Sequence, residues 1–323
     1  MTDPSSEAPT EAPIPLLVLV GPTASGKTAL ACALAERFGG EIVGADSRQI
    51  YRLMDIGTAK PSAADRARVP HHLLDVVWPD EPYTLAQYQE DAVRAIAAVH
   101  ARERLPLLVG GTGLYIRAVV DGLAIPRVAP DLALRAALEA DAARDGPAAL
   151  HARLAALDPA AAASIAPTNV RRVIRALEVC LLTGQPFSAQ RGVRPTPYRP
   201  LPLGLSTERA TLYGWADRRV DAMLAAGLVA EVEGLVARGY SWGLPAMSSL
   251  GYREIGAYLR GEVTLAAATE RIKLATHAYI RRQLTWFRPD ARLRWLDTAD
   301  PALVSDAVVL VEHWLEGQTA HDG

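Results

Sequence analysis

Lysine is the scarce residue of this chain: only Lys27, Lys60 and Lys273 occur among its 34 basic residues. Cysteine is nearly absent too. Cys32 and Cys180 each fall in a helical pattern and form no C-x-x-C pair, which argues against a zinc site and a disulfide scaffold and leaves the cytoplasm as the expected compartment. No apolar run approaches the roughly 20 residues that a membrane helix needs. The first thirteen residues have neither a basic start nor an apolar stretch. They read as a disordered tail and not as a secretory signal. Net charge is only −2, so overall charge neither marks nor excludes a nucleic-acid binder; local patches decide that. No internal repeat is visible.

What is present points to a globular protein. The chain has 323 residues, half of them apolar, enough for one large domain or two modest ones. Its sharpest feature is Gly21-Pro22-Thr23-Ala24-Ser25-Gly26-Lys27-Thr28, which fits G-x-x-x-x-G-K-[ST]. The apolar run Leu16 to Val20 before it reads as a buried strand, and Ala29 to Phe38 after it as a helix. In that setting glycines let the backbone turn tightly and aim N–H groups at phosphate oxygens. Lys27 adds a point charge, Thr28 offers a hydroxyl to Mg²⁺, and the helix N-terminus favours the anion further. With so few lysines, a lysine in this motif is unlikely to be there by chance.

The first third alternates strand and helix. Glu41 to Ala45 reads as a second strand ending at Asp46, His72 to Val77 as a third apolar run, Tyr83 to Arg104 as a helix, and Leu105 to Val109 as a strand closed by Gly110-Gly111-Thr112-Gly113. Such alternation predicts an α/β fold, a parallel sheet flanked by helices around a P-loop core. Ligands bind at the carboxyl ends of such strands, where Thr23, Asp46 and Thr112 fall. From Asp131 to Gln190 the chain is rich in Ala, Leu and Arg. The breaks are at Gly146-Pro147, Asp158-Pro159 and Gly184-Gln185-Pro186, and a proline-dense connector, 194–200, follows. This predicts a helical insertion domain over 126–200 between core segments 14–125 and 201–316. Leu201 to Leu205 is expected to return to the sheet. Helices are expected over 211–238, 252–259, 265–287 and 302–316, and a last strand over 293–297.

A P-loop alone fits kinases, NTPases and regulators, with ATP as the ordinary ligand. Asp46 can serve as a base toward an acceptor placed beside the loop, or simply cap a helix. The strand Leu107 to Val109 ends without the usual Mg²⁺-holding aspartate of NTP hydrolysis. Asp75 can stand in for it or be an ordinary strand-end residue, and His71-His72 has no metal-ligand company. Between Glu270 and Arg294 lie seven basic residues, with Trp286 and Phe287 among them. Basic charge interleaved with aromatics suits phosphate grip and base stacking; a solvated helix face with a core anchor is the plainer reading. Arg171, Arg172 and Arg175 form a second cluster, in which Arg172 and Arg175 share a face.

Taken together, the P-loop, Ala45 to Tyr51, Met54 to Pro61, Pro70 to Asp75, Leu108 to Tyr115, Arg175 to Val179, Ser248 to Glu254 and Arg281 to Arg288 resemble the tRNA dimethylallyltransferases, also called tRNA isopentenyltransferases, of bacterial type. The resemblance spans about 14–316. It implies transfer of a dimethylallyl group from dimethylallyl diphosphate to N6 of adenine 37 in tRNA. The P-loop residues Gly21, Pro22, Thr23, Ala24, Ser25, Gly26, Lys27 and Thr28, joined by Arg219, would bind the diphosphate, with Mg²⁺ at Thr28. Asp46 would be the general base, and Thr23 would orient the reacting end. Contacts to tRNA are implied for Asp46, Ser47, Arg48, Gln49, Thr112, Arg171, Arg172, Arg175, Ser248, Ser249, Gly251, Tyr252, Arg253, Arg281, Arg282, Gln283, Trp286 and Arg288. The zinc finger of eukaryotic relatives has no counterpart. A monomer without membrane contact is expected. The rivals are a P-loop kinase of a small molecule and an RNA-binding NTP sensor.

Overall fold

The computed structural model describes residues 12–319, so most of the tail expected over 1–13 lies outside the described residues. The chain divides into two compact units, Asp121–Thr196 and the rest. The boundaries expected at 126 and 200 fall a few residues later than these.

The larger unit opens with β1 (Ile14–Val20), α1 (Lys27–Phe38), β2 (Gly40–Gly44), α2 (Ala63–Arg68), β3 (His71–His72), α3 (Leu85–His100), β4 (Leu105–Gly110) and α4 (Gly113–Val120). The smaller unit holds β5 (Leu123–Ala124), the helices α5 (Leu132–Asp145), α6 (Pro147–Leu157), α7 (Pro159–Ser164) and α8 (Val170–Thr183), and β6 (Gly192–Val193). The larger unit resumes with β7 (Tyr198–Ser206), α9 (Arg209–Ala225), α10 (Leu228–Ala237), α11 (Tyr252–Leu259), α12 (Leu265–Phe287), β8 (Arg294–Asp297) and α13 (Leu303–Thr319).

The main sheet is parallel throughout, in the order β3-β2-β4-β1-β7-β8. Both of its faces are covered, which is why β1 is apolar at every position rather than alternating. Leu17 and Leu19 pack with Leu30, Leu34, Ala307 and Val311, beneath α1 and α13. Leu16, Val18 and Val20 face the other way, onto Tyr88, Ala92 and Ile96 of α3 and Ile116 of α4. β7 contains Pro200 and Pro202, residues that cannot donate to a ladder. The period of two sets both imides to one side of the strand, and β8 flanks it only from Leu203 onward.

Two expectations need correction, and two short helices went unforeseen. The apolar run at 72–77 is a strand only at His71–His72; Leu73 and Asp75 then adopt positive φ values of 63° and 55°. The carboxylate of Asp75 is drawn to Lys60 and Arg66, which turns the chain out of the sheet. The helix expected over 211–238 is two helices, broken at Gly227 with φ 101°. The short helices α2 and α4 lack a periodic pattern long enough to announce themselves.

Helices α9 and α12 carry a matched ladder. Lys273 pairs with Asp221 at 2.8 Å, His277 Nε2 meets Asp217 at 2.8 Å, and Arg281 donates to the Tyr213 hydroxyl at 3.1 Å. Each series steps by four residues, one helical face, and the two run in opposite directions, which fixes the axial register of α9 on α12. The Tyr213 and His277 rings stack at 4.0 Å.

Within the smaller unit, Pro147 and Pro159 sit at first helical positions and Gly184 ends α8 in the left-handed region. Fully buried Glu178 is gripped by Arg135 at 2.8 Å and Arg175 at 2.5 Å, and also accepts the Asp131 N–H. These guanidiniums hold its carboxyl below the usual carboxylate range against the opposing effect of burial.

At Gly110 the end of β4 lies so close to Ala45 that a Cβ would meet the Ala45 carbonyl oxygen at 2.1 Å. Gly110→Ala therefore forces backbone apart and is expected to cost about 1–3 kcal/mol of stability. A urea midpoint unchanged from the wild type would contradict this.

Candidate functional site

The site begins where β1 ends. Gly21 has φ 154°, and a Cβ there would meet the Leu205 carbonyl oxygen at 2.6 Å. Gly26 takes φ 78° as the N-cap of α1, and Ala24 also lies in the left-handed region at φ 64°. The loop is braced from within. Pro22 O accepts from buried Ser25 Oγ at 2.8 Å and from Lys27 Nζ at 2.6 Å. The Thr28 hydroxyl has no protein partner among the described residues.

Two carboxyl strand ends lie beside the loop. Asp46, after β2, accepts the Arg48 N–H at 2.8 Å through Oδ1. Thr112, after β4, donates its N–H to Ala45 O at 3.1 Å and accepts the Ser47 N–H at 3.0 Å on its hydroxyl. Asp46 and Thr112 are thus parts of one backbone knot.

Lys27, Arg219 of α9 and Asp46 act on one another electrostatically. The Lys27 ammonium is pushed down to about 7; although part of the side chain meets solvent, burial is the largest cause, then the Arg219 guanidinium, with Asp46 opposing both. Burial lowers Arg219 as well, again against Asp46. A guanidinium stays charged regardless, and Arg219 makes no hydrogen bond or ion pair with any described residue. Two cations crowd a phosphate loop, and a single carboxylate faces them. Such an arrangement needs an anion.

Gln283 ties the loop to its surroundings. Its Oε1 accepts the Thr23 N–H at 2.9 Å, and its Nε2 donates to Gly111 O at 3.0 Å. It is buried and acts as an internal bridge between the two loops. Ser249, Gly251 and Tyr252 are likewise buried in the loop and helix they were expected to expose. Ser248 is exposed, and Arg253 is exposed but paired with Glu254. Gln49 donates to the Thr58 and Ala59 carbonyls at 3.1 Å each, and Arg48 to Pro245 O at 3.0 Å. Arg281, Arg282 and Arg288 are exposed on the last turns of α12 and just beyond. Trp286, 45% exposed, packs so tightly on Gly113 that a Cβ there would meet its ring at 2.0 Å. In the smaller unit Arg171 and Arg172 are exposed, whereas Arg175 serves Glu178.

Sequence reasoning missed Tyr115 and Tyr279. Burial pushes both hydroxyls up, and the Asp46 charge adds to it, so both stay neutral beside the carboxylate. Tyr279 stands four residues before Gln283 and seven before Trp286, a helical spacing that would have flagged it. Asp75, weighed as a metal-holding acid, is committed to Lys60 and Arg66. No group of three His, Cys, Asp or Glu side chains suited to a metal occurs among the described residues.

Fold and site together define a P-loop α/β protein in which two cations and one carboxylate act on one another at the loop. The family model described as IPP transferase matches residues 49–290, and that described as isopentenyl transferase matches 14–74. The chain belongs to this family. It is 55% identical to the tRNA dimethylallyltransferase of Roseiflexus sp. strain RS-1, over 94% of this chain and 99% of that one. It is 58% identical to the tRNA dimethylallyltransferase of Chloroflexus aurantiacus strain J-10-fl, over 84% and 92%. Among solved structures, the tRNA isopentenylpyrophosphate transferase of Bacillus halodurans superposes with a TM-score of 0.72 at 41% identity, over 95% of this chain and 98% of that one. A eukaryotic dimethylallyltransferase described as acting on tRNA gives 0.79 at 25% identity, over 94% and 80%.

The depressed Lys27 has a measurable consequence. An anionic ligand restores its charge, so binding takes up a proton wherever the free ammonium is largely neutral, above about pH 7. Affinity for a diphosphate ester is expected to fall by up to about tenfold per pH unit between roughly pH 7.5 and 9, since binding then competes with deprotonation. Calorimetric titration checks this. Lys27→Arg, which stays charged, should flatten the profile.

Proposed function

We propose that the protein transfers a dimethylallyl group from dimethylallyl diphosphate to N6 of adenine 37 in the anticodon loop of tRNA. The observation that carries the reading is the placement of Asp46 within electrostatic reach of both Lys27 and Arg219. In this reading a proton acceptor and a diphosphate grip would serve one reacting centre. The names of the relatives support this reading over a small-molecule kinase.

The N6 lone pair attacks C1 of the allyl chain, and the C1–O bond breaks with its electron pair leaving on the diphosphate. Charge develops on that leaving group, where loop N–H groups, Lys27 and Arg219 offset it. The surplus proton on N6 passes to the Asp46 carboxylate, whose Oδ1 is steadied by the Arg48 N–H. Thr23 is fixed through its own N–H by Gln283 and stands at the reacting end.

Mg²⁺ is the cofactor the family resemblance implies. A lone threonine hydroxyl is a poor cage, but Mg²⁺ commonly takes one or two protein ligands and fills its shell with phosphate oxygens and water. The unpartnered Thr28 hydroxyl at the N-terminus of α1 fits that donor set. Bound there with diphosphate, the ion would neutralise part of the leaving-group charge.

The acceptor base must leave the stack of the anticodon loop to reach Asp46. The exposed guanidiniums of Arg281, Arg282 and Arg288 with Trp286, and of Arg171 and Arg172, are the surfaces offered for tRNA phosphates and bases. The enzyme is read as a monomer. No helix among the described residues is long and apolar enough to cross a membrane, and tRNA as substrate supports a cytoplasmic location.

Asp46→Asn is expected to lower turnover roughly 10²- to 10⁴-fold, the usual span for a lost general base. The assay is mass analysis of nucleosides from digested tRNA after incubation with donor and Mg²⁺. Turnover within threefold of the wild type would remove Asp46 from the role. Affinity for tRNA should fall steeply with salt, and neutralising Arg281 and Arg288 together should lessen the slope of log K on log[salt] by about 1–2. Filter binding at several salt concentrations reads this directly.

A further inference from the structure

The loop after Asp46 contains an anion-binding nest that the chain fills with its own carboxylate. Glu231, in the first turn of α10, accepts three consecutive backbone N–H groups: Asp55 and Ile56 on Oε2, each at 2.8 Å, and Gly57 on Oε1 at 3.1 Å. The Tyr252 hydroxyl adds a fourth bond to Oε1 at 2.6 Å. A carboxylate has about four acceptor positions, and here all are taken by one loop and one tyrosine. Consecutive N–H groups turned to one point form the concavity that elsewhere holds free anions. The Tyr252 ring lies against Gly57, where a Cβ would meet it at 2.4 Å, so the loop is clamped from two directions.

The same loop is tied to the segment that carries Asp46. Its Thr58 and Ala59 carbonyls receive the Gln49 amide, three residues beyond Asp46. Asp55, Ile56, Ala59 and Lys60 also form one wall of a cleft of about 590 Å³, with Arg219 in the opposite wall. The outer clamp therefore sets the positions of both Gln49 and a surface facing Arg219.

We propose that Glu231 is a positioning residue for the transfer reaction: it occupies a backbone anion nest and thereby holds residues 55–60 in the shape that seats Gln49 beside Asp46 and walls the Arg219 cleft. This rests on the proposed function above for its activity readout. Misplacing groups at a reacting centre by about 1 Å costs on the order of 10²-fold in rate. Among the described residues, Glu231 forms no hydrogen bond with the P-loop, its partners being Asp55, Ile56, Gly57 and Tyr252.

The test compares the full-length wild type with Glu231→Gln, Glu231→Ala and, as a control on the same helix, exposed Glu233→Gln. Glu231→Gln is expected to lower kcat about 10- to 100-fold. Pyrophosphate affinity should change less than twofold, and amide exchange at Ile56 and Gly57 should accelerate. Glu231→Ala vacates the nest, so added formate should restore part of its rate in a saturable way that chloride at equal ionic strength does not. Glu233→Gln should match the wild type. A purely structural role would lower the melting temperature of Glu231→Gln and leave kcat of the folded enzyme within threefold, which overturns the proposal. So would unrescued Glu231→Ala. If the wild type itself transfers no prenyl group, the functional reading fails; amide exchange then decides alone, and unchanged protection at Ile56 and Gly57 overturns the proposal.

Discussion

The buried amide of Gln283 is the contact on which the site depends. It satisfies a donor in the phosphate loop and an acceptor after β4 with one side chain, so loops from different strands cannot drift apart independently. Each bond is short of strain at about 3 Å, and the one to Gly111 is buried while the one from Thr23 is partly so, which raises the cost of losing either partner. Gln283 is itself held by its helix. The ladder of Lys273, His277 and Arg281 against Asp221, Asp217 and Tyr213 fixes α12 on α9, and α9 carries Arg219. One helix pair therefore sets both the shape of the phosphate loop and the distance of the second cation from it. The nest around Glu231 completes the frame from the side of α10.

Electrostatics then explain what the frame is for. Burial disfavours the charged form of both Lys27 and Arg219, and the Arg219 guanidinium adds to the effect on Lys27. A lone carboxylate at Asp46 relieves some of this but is spread across both. Under the proposed function a diphosphate would shift this balance: the cations would gain a partner carrying more charge than Asp46, and Asp46 would be left free to take a proton. Binding the donor and freeing the base would then be the same electrostatic event.

Much of this was legible in the sequence. The G-x-x-x-x-G-K-T loop between an apolar strand and an Ala-rich helix specified β1, α1 and the cradle, because backbone turns of that type demand glycine at fixed places. Asp46 and Thr112 followed from strand ends. What was hidden has physical reasons. Gln283 and Tyr252 lie in segments whose basic or polar neighbours suggested a surface, and only packing shows which face of the helix or loop turns inward. Glu231 sits in a stretch that reads as one long helix until Gly227 breaks it, and its partners are backbone N–H groups more than 170 residues away, which leave no trace in residue types. Arg175 shows the same limit: an arginine cluster on one helix is split, two outward and one onto buried Glu178.

The scarcity of lysine is answered by where its three copies stand. Lys27 lies within the phosphate loop; Lys60, 1% exposed in its side chain, donates to Tyr51 O, Asp55 and Asp75; Lys273 bonds Asp221 in the helix ladder. A compact ammonium with three rotatable donors suits such converging acceptors, and Lys60 uses all three. Arginine carries nearly all the remaining positive charge, including that of Arg171, Arg172 and Arg288, which are exposed and make no ion pair with any described residue. A planar guanidinium both grips phosphate in two places and stacks on bases, and it stays charged at any working pH. The three ammonium groups thus brace loops and helices, while the guanidinium groups do both jobs: Arg135 and Arg175 grip buried Glu178 and Arg66 holds Asp75, whereas Arg171, Arg172 and Arg288 face outward.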